Sequence, residues 1–231
     1  MGTLQEQSCV SVIFPTLNAD DTLALALATL RDAAIVREVI VADGGSSDDT
    51  AALALAAGAR LIQAPRGRGS QLAAGAAAAA GDWLLFLHAD CRLEPGWESP
   101  VVGFLDAPGA ADRAGYFDFA LDDPGPAARR LERIVAWRCR ALALPYGDQG
   151  LLISRSLYDA VGGFARMPLM EDVDLVRRLG RRRLARIGGP CLASASRYRH
   201  EGYLRRPLRN LVCLSLYFAG MRPDRLIRLY G

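Results

Sequence analysis

The chain has 231 residues, 51% hydrophobic and 23% charged, enough to bury one sizeable core and short for two full domains. Its longest uncharged stretches, Gly69–Gly81 and Asn210–Met221, fall well short of the ~20 apolar residues of a spanning helix, which excludes a transmembrane protein. The formal net charge is +3, and all 28 basic residues are arginine, which excludes lysine Schiff-base and P-loop lysine chemistry.

The first segment, Met1-Gly-Thr-Leu-Gln-Glu-Gln7, has no basic region followed by an apolar run, so no cleaved secretion signal is expected. Cys9–Phe14 reads as a strand ended by Pro15, and Asn18–Asp21 as a cap before a helix with Leu23, Leu27 and Leu30 on one face. A second unit follows: strand Glu38–Ala42, polar loop Asp43–Asp49, and helix Thr50–Ala57 stopped by Gly58. Arg60–Gln63 is the third strand, Ser70–Ala80 an alanine-rich helix ended by Gly81, and Trp83–Leu87 an apolar fourth strand. Strands alternating with helices imply a mostly parallel sheet covered by helices on both faces.

From about Gly115 the pattern becomes mixed. Tyr116–Leu121 alternates as a half-exposed strand, and Pro126–Leu142 is an amphipathic helix. Gly150–Ile153 is a strand, Glu171–Leu179 a helix, and Leu184–Ile187 and Cys191–Ser194 two short strands. Leu204–Met221 and Asp224–Tyr230 are terminal amphipathic helices. No linker divides the chain, so one α/β domain spans 1–231, with an alternating part at about 9–92, a mixed part at about 93–203, and C-terminal helices from about 204.

Five cysteines, with no C-x-x-C, give neither a disulfide framework nor a zinc site and suit a reducing cytoplasm. Charge is unevenly placed: residues 1–170 carry −6 and residues 171–231 carry +9. The basic end suits a substrate phosphate, an anionic membrane surface or a solvated arginine face. Nucleic acid is not expected, because no aromatics interleave with the arginines and no recognition-helix motif occurs.

Ligands of an open parallel sheet bind beyond the strand carboxyl ends, here the loops Pro15–Asp21, Asp43–Asp49, Pro65–Gly69 and His88–Arg92. The first lacks G-x-G-x-x-G, which argues against a dinucleotide fold. Asp43 precedes Gly44-Gly45 and can accept hydrogen bonds from a uracil or ribose, although Asp-Gly-Gly-Ser is equally the composition of a turn. Asp90 ends the fourth strand, where it can cap a turn or share a hard cation with a diphosphate.

Val10–Asn18, Val39–Asp48, Leu85–Asp90, Tyr146-Gly-Asp-Gln-Gly150 and Met170-Glu-Asp172 together resemble the family 2 glycosyltransferases of GT-A fold. The subgroup they are most similar to is the small bacterial enzymes grouped as radical-SAM/selenium- or arsenosugar-associated glycosyltransferases. The resemblance implies that Pro15, Thr16, Asn18 and Asp43 cradle the nucleoside, with Arg66, Arg68 and Gln71 near the base or diphosphate. His88, Ala89 and Asp90 would contact the nucleotide-sugar, and Asp90 would hold Mg²⁺ or Mn²⁺. The usual D-x-D is here His88-Ala-Asp90, without its first carboxylate. His88 is read as hydrogen-bonding the ribose or a phosphate, and its imidazole would suit Mn²⁺. Asp148, Gln149 and Glu171 would lie on the acceptor side and Asp172 would be the catalytic base; it follows a flexible Gly162–Pro168 segment suited to closing over donor and acceptor.

The activity these readings imply is inverting, metal-assisted transfer of one sugar from a nucleotide-sugar, a UDP-sugar foremost, to a small or lipid-linked acceptor. Two alternatives stand beside it: a sugar-phosphate nucleotidyltransferase using Pro65–Ser70 as a glycine-rich loop, and a GT-A module that binds nucleotide or membrane without turnover. The pairing of Arg205, Arg206 and Arg209 with an apolar face on Leu204–Met221 suggests peripheral contact with anionic lipid.

Overall fold

The computed structural model describes residues 10–230; the N-terminal segment through Cys9 lies outside the described residues. The first half alternates as its periodicity predicts: β1 (Val10–Thr16), α1 (Asp20–Ala28), β2 (Val36–Asp43), α2 (Thr50–Ala56), β3 (Arg60–Gln63), α3 (Arg68–Ala78) and β4 (Trp83–Phe86). Then come β5 (Cys91–Leu93), α4 (Glu98–Leu105), β6 (Ala114–Leu121), α5 (Pro126–Leu142), β7 (Leu151–Ser154), α6 (Arg155–Ala160) and α7 (Glu171–Leu179). The chain finishes with β8 (Leu184–Ala193), α8 (Ser196–Glu201), α9 (Arg205–Phe218) and α10 (Pro223–Tyr230).

The strands form one sheet in the order β3-β2-β1-β4-β7-β6-β8-β5. The β3–β2–β1–β4 block is parallel, as expected, and β7 then pairs antiparallel with β4. Side chains alternate across β1: Val10, Val12 and Phe14 join the core under α1, α2 and α5, while Ile13 faces α3, α6 and α7. Gly75 lets α3 cross β1 closely, since a methyl there would overlap the Ile13 side chain. A third cluster, Leu169, Met170 and Val173 with Cys213, Leu214 and Leu226, ties the start of α7 to α9 and α10.

Several expectations need correction. Pro15 does not end β1, which continues through Thr16 opposite Asp43. The carbonyl of Ile13 points to the β4 side, where it accepts from Leu87 N, and Pro15 shares that orientation. Pairing with β4 stops at Ile13–Phe86, so the missing N–H of Pro15 deprives no ladder bond. The two short strands expected at 184–194 are one, β8, because Gly188 and Gly189 are absorbed where its pairing with β6 shifts register. β5, α4, α6 and α8 were not expected: each is at most eight residues long, too short to establish a period. β6 is more buried than its half-exposed pattern predicts, since β7 and β8 flank it and Phe117 lies in the core.

Among the described residues no helix is long and apolar enough to cross a membrane. The four described cysteines are buried free thiols.

Candidate active site

Ten of the predicted residues, Pro15, Thr16, Asn18, Arg66, Arg68, Gln71, His88, Ala89, Asp90 and Asp148, line one cleft of about 720 Å³ at the carboxyl ends of the parallel strands. Its edges are built by buried polar groups. Gln71 donates from Nε2 to the carbonyls of Thr16 and Ala42, clamping the ends of β1 and β2. Asp43 lies behind the cleft wall, 2% exposed, and accepts from Gly45 N at 2.9 Å, Ser46 N at 2.8 Å, the Ser46 hydroxyl and Thr16 Oγ1 at 3.1 Å. Burial alone would raise its pKa; these donors outweigh burial and hold the carboxyl below its usual range. In this state Asp43 shapes the loop and does not line the cleft.

The antiparallel insertion of β7 brings two polar loops together at the cleft. Because Phe86 pairs with Leu151, the loop leaving β4 lies beside the loop entering β7. His88 Nδ1 meets Asp148 Oδ1 at 2.9 Å, and ligand atoms of His88, Asp90, Cys91 and Asp148 all lie within 4.8 Å of one another. Asp148, 60 residues further along the sequence, thus adds a second carboxylate beside Asp90 to this cluster. Two carboxylates and an imidazole fit Mn²⁺ or Mg²⁺. Cys91 does not fit, because the neighbouring Cys191 and complete burial push its thiol pKa well up and keep it protonated.

Burial would lower the His88 pKa, but the hydrogen bond and charge of Asp148 outweigh it and raise the value. Burial likewise opposes Asp148 ionisation, and His88 overcomes it, holding Asp148 below its usual range. The two directions agree on an ion pair at moderately acid pH. The raised His88 pKa stabilises the fold below the ordinary histidine value of about 6.5, a gain lost as pH rises through the folded value; the lowered Asp148 pKa stabilises above about 3.9, a gain lost as pH falls through its folded value. In metal-free buffer, the melting-temperature deficit of His88→Asn should therefore be largest between about pH 4 and 6.5 and shrink on both sides. A deficit independent of pH would mean that the pair carries no net charge coupling.

The acceptor-side residues divide. Gln149 turns inward, donating from Nε2 to the Phe117 carbonyl at 3.1 Å and accepting from Arg138 Nη2 at 3.1 Å, so it braces β6 against α5. Glu171 is fully buried, its Oε1 lies 3.0 Å from Arg68 Nε, and neither oxygen accepts a hydrogen bond from the described residues. Burial, offset in part by Arg68 and reinforced by Asp172, pushes its pKa up to about 7. Asp172 instead lines a second, apolar cavity of about 500 Å³ that meets the cleft at Arg68, His88 and Asp148.

The Gly162–Pro168 segment is held rather than loose. Gly163 N donates to Tyr158 O, Phe164 N to Tyr158 Oη, and Arg178 to the carbonyls of Val161 and Gly163. Gly69 N donates to Met167 O at 3.2 Å, and a Cβ on Gly69 would overlap the Ala165 carbonyl oxygen. This close approach is what brings Glu171 to Arg68. Sequence reading also missed Arg197, Tyr198, Arg206 and Asn210, which line the cleft from the α8–α9 region; the arginine-rich Ser196–His200 segment was the available signal. His200 is exposed and does not line the cleft.

The family model described as Glycosyl transferase family 2 matches residues 11–167. Glucosyl-3-phosphoglycerate synthase of Mycolicibacterium paratuberculosis is 34% identical over 92 residues, covering 35% of this chain and 28% of that protein. The chain thus matches under a third of the length of such curated relatives. Among solved structures, glucosyl-3-phosphoglycerate synthase from Mycobacterium tuberculosis with Mn²⁺, UDP-glucose and phosphoglyceric acid is 25% identical, with a TM-score of 0.56 over 81% of this chain and 75% of that one. The same synthase with Mg²⁺ and UDP gives 0.57 at 24% identity over 82% of this chain and 74% of that one, a likeness of fold. With the family model spanning the parallel sheet, its ligand loops and the His88–Asp148 junction, the chain belongs to glycosyl transferase family 2.

Proposed function

We infer that this protein transfers one sugar from a UDP-sugar to a hydroxyl of a small or lipid-linked acceptor, with inversion and with Mn²⁺ or Mg²⁺ as cofactor. The observation that carries the reading is the junction of two cavities: a polar cleft holding His88, Asp90 and Asp148 opens directly onto a carboxylate, Asp172, in a separate acceptor-sized space. The solved synthases named with UDP, UDP-glucose and Mn²⁺ or Mg²⁺ support the donor and metal.

In this reading Pro15, Thr16, Asn18, Arg66 and Gln71 line the nucleoside end, Asp43 holds their loop, and Arg68 faces the diphosphate. His88, Asp90 and Asp148 would hold the cation, which would neutralise charge on the departing diphosphate. Asp172 takes the acceptor hydroxyl proton as that oxygen bonds to C1. The C1–phosphate oxygen bond breaks on the opposite side, and UDP leaves with the electron pair. Glu171 acts through Arg68, orienting the guanidinium. Contact of α9 with anionic lipid would be one route for a lipid-linked acceptor, although Arg206 and Arg209 both pair with Glu201.

Thermal denaturation with nucleotides and metal tests the reading. UDP at a hundredfold over its Kd stabilises by about 2.7 kcal/mol, which for a chain this size is a shift of roughly 5–10 °C. The shift should require Mn²⁺ or Mg²⁺ and be accompanied by UDP release from UDP-glucose. Absence of any nucleoside-diphosphate shift would overturn the reading. Pyrophosphate release from UTP and a sugar phosphate would replace it with nucleotidyl transfer, and UDP binding without turnover on any acceptor would leave a binding module.

A further inference from the structure

The 500 Å³ cavity beside Asp172 differs in character from the donor cleft. It is a groove between α5 and α9, and its rims are large apolar side chains left open to solvent. Ile134 and Trp137 of α5 are 61% and 57% exposed, and Leu208 and Leu211 of α9 are 62% and 57% exposed. Each pair is spaced i,i+3, so each helix turns one apolar stripe toward the groove. Isolated exposed leucines are ordinary, but two facing stripes on one cavity are a contiguous apolar patch of the kind that marks a binding surface.

We propose that the groove between α5 and α9 is the acceptor site, and that the acceptor is a single amphiphile: a hydroxyl-bearing polar head that reaches Asp172, on an alkyl body that lies between the two helices. The proposal rests on the transfer reading above and deepens it. Continuity decides the occupant. The same cavity that opens between Ile134 and Leu211 ends at Asp172 and Asp148. A second protein copy or a bilayer surface would cover the rims and leave that inner end empty, whereas a molecule with a polar head and an apolar body fills both. A volume of about 500 Å³ lies within the roughly 300–1,000 Å³ of small-molecule sites. A fully polar acceptor such as phosphoglycerate would leave the carbon walls wet and forgo the free energy of covering them, so the groove favours an acceptor with an apolar body.

The test uses 1-O-alkyl glycerols of four, eight and twelve carbons, below their micellar concentrations, with 3-phosphoglycerate as the polar comparator. Binding is read by the blue shift of Trp137 emission as alkyl chain displaces water, assigned with Trp137→Phe, and transfer by glucosylation from UDP-glucose with Mn²⁺. Affinity should rise about two- to fourfold per added methylene until the groove is full. Ile134→Glu and Leu211→Glu replace exposed side chains, so both should fold. Each should weaken alkyl-glycerol binding at least tenfold and leave the UDP-induced thermal shift intact. A flat chain-length response, or better transfer to 3-phosphoglycerate, would overturn the proposal. So would a dimer, by sedimentation, that these variants dissociate while alkyl glycerols fail to bind, or binding seen only with intact lipid vesicles. Loss of the UDP shift in the unaltered protein would instead sink the transfer reading, so the two failures are distinguishable.

Discussion

Replacing Asp172 by Asn should lower sugar transfer by roughly two or more orders of magnitude while leaving UDP affinity almost unchanged. Three carboxylates open α7, and the structure separates their tasks. Asp174 is bound by Arg178 at 2.6 Å, within the network that pins the 161–163 turn. Glu171 is fully buried against Arg68. Asp172 alone of the three faces an open cavity, beside Gly147, whose Cβ position would lie 3.7 Å from Asp172 Oδ2. Its place in the first turn of a helix keeps a negative charge favourable there, and Asn preserves the shape while removing the proton acceptor. Single-turnover transfer from UDP-glucose, with UDP binding measured separately, checks the assignment. Near-normal turnover would remove Asp172 from the role of base; a loss explained by weaker UDP-glucose binding would make Asp172 a donor contact.

Asp90→Ala should abolish the metal-dependent part of the UDP thermal shift and leave the protein folded. Asp90 is only half-buried and follows β4 on a loop, so its removal leaves the hydrophobic core untouched. Its neighbours His88 and Asp148 are already paired with each other, which leaves Asp90 as the carboxylate without that commitment in the cluster. With one carboxylate gone, a hard cation would retain one oxygen ligand and an imidazole from the protein, a set too weak to recruit the metal at ordinary concentrations. Titration of Mn²⁺ by electron paramagnetic resonance, with and without UDP, separates metal loss from nucleotide loss. Unchanged Mn²⁺ binding in the variant would remove Asp90 from the site.

Much of this protein is local in origin. The 3.6- and 2-residue periods of residues 10–86 place strands, helices and therefore the ligand loops, because each element's apolar face must meet the sheet or the helices over it. The span of α5 follows from Pro126 at its first turn and an amphipathic repeat through Leu142, and that of α7 from its acidic start and the following Gly180. Pro15 shows the limit even there: whether a proline ends a strand depends on which side its nitrogen faces and whether a neighbour pairs there, a property of the sheet.

The tertiary structure alone decided the chemistry's surroundings. His88-Ala-Asp90 offers a single carboxylate by itself, and antiparallel pairing of β7 with β4 brings Asp148 to His88 from 60 residues away. No local pattern encodes that register. Glu171 reads as one of three helix-start carboxylates until the approach of the 165–168 segment to Gly69 buries it against Arg68. The apolar residues of α9 read as one amphipathic face, yet Cys213 and Leu214 pack on α7 while Leu208 and Leu211 stay open toward α5. Periodicity states which side of a helix is apolar; what that side meets is fixed by how distant elements pack.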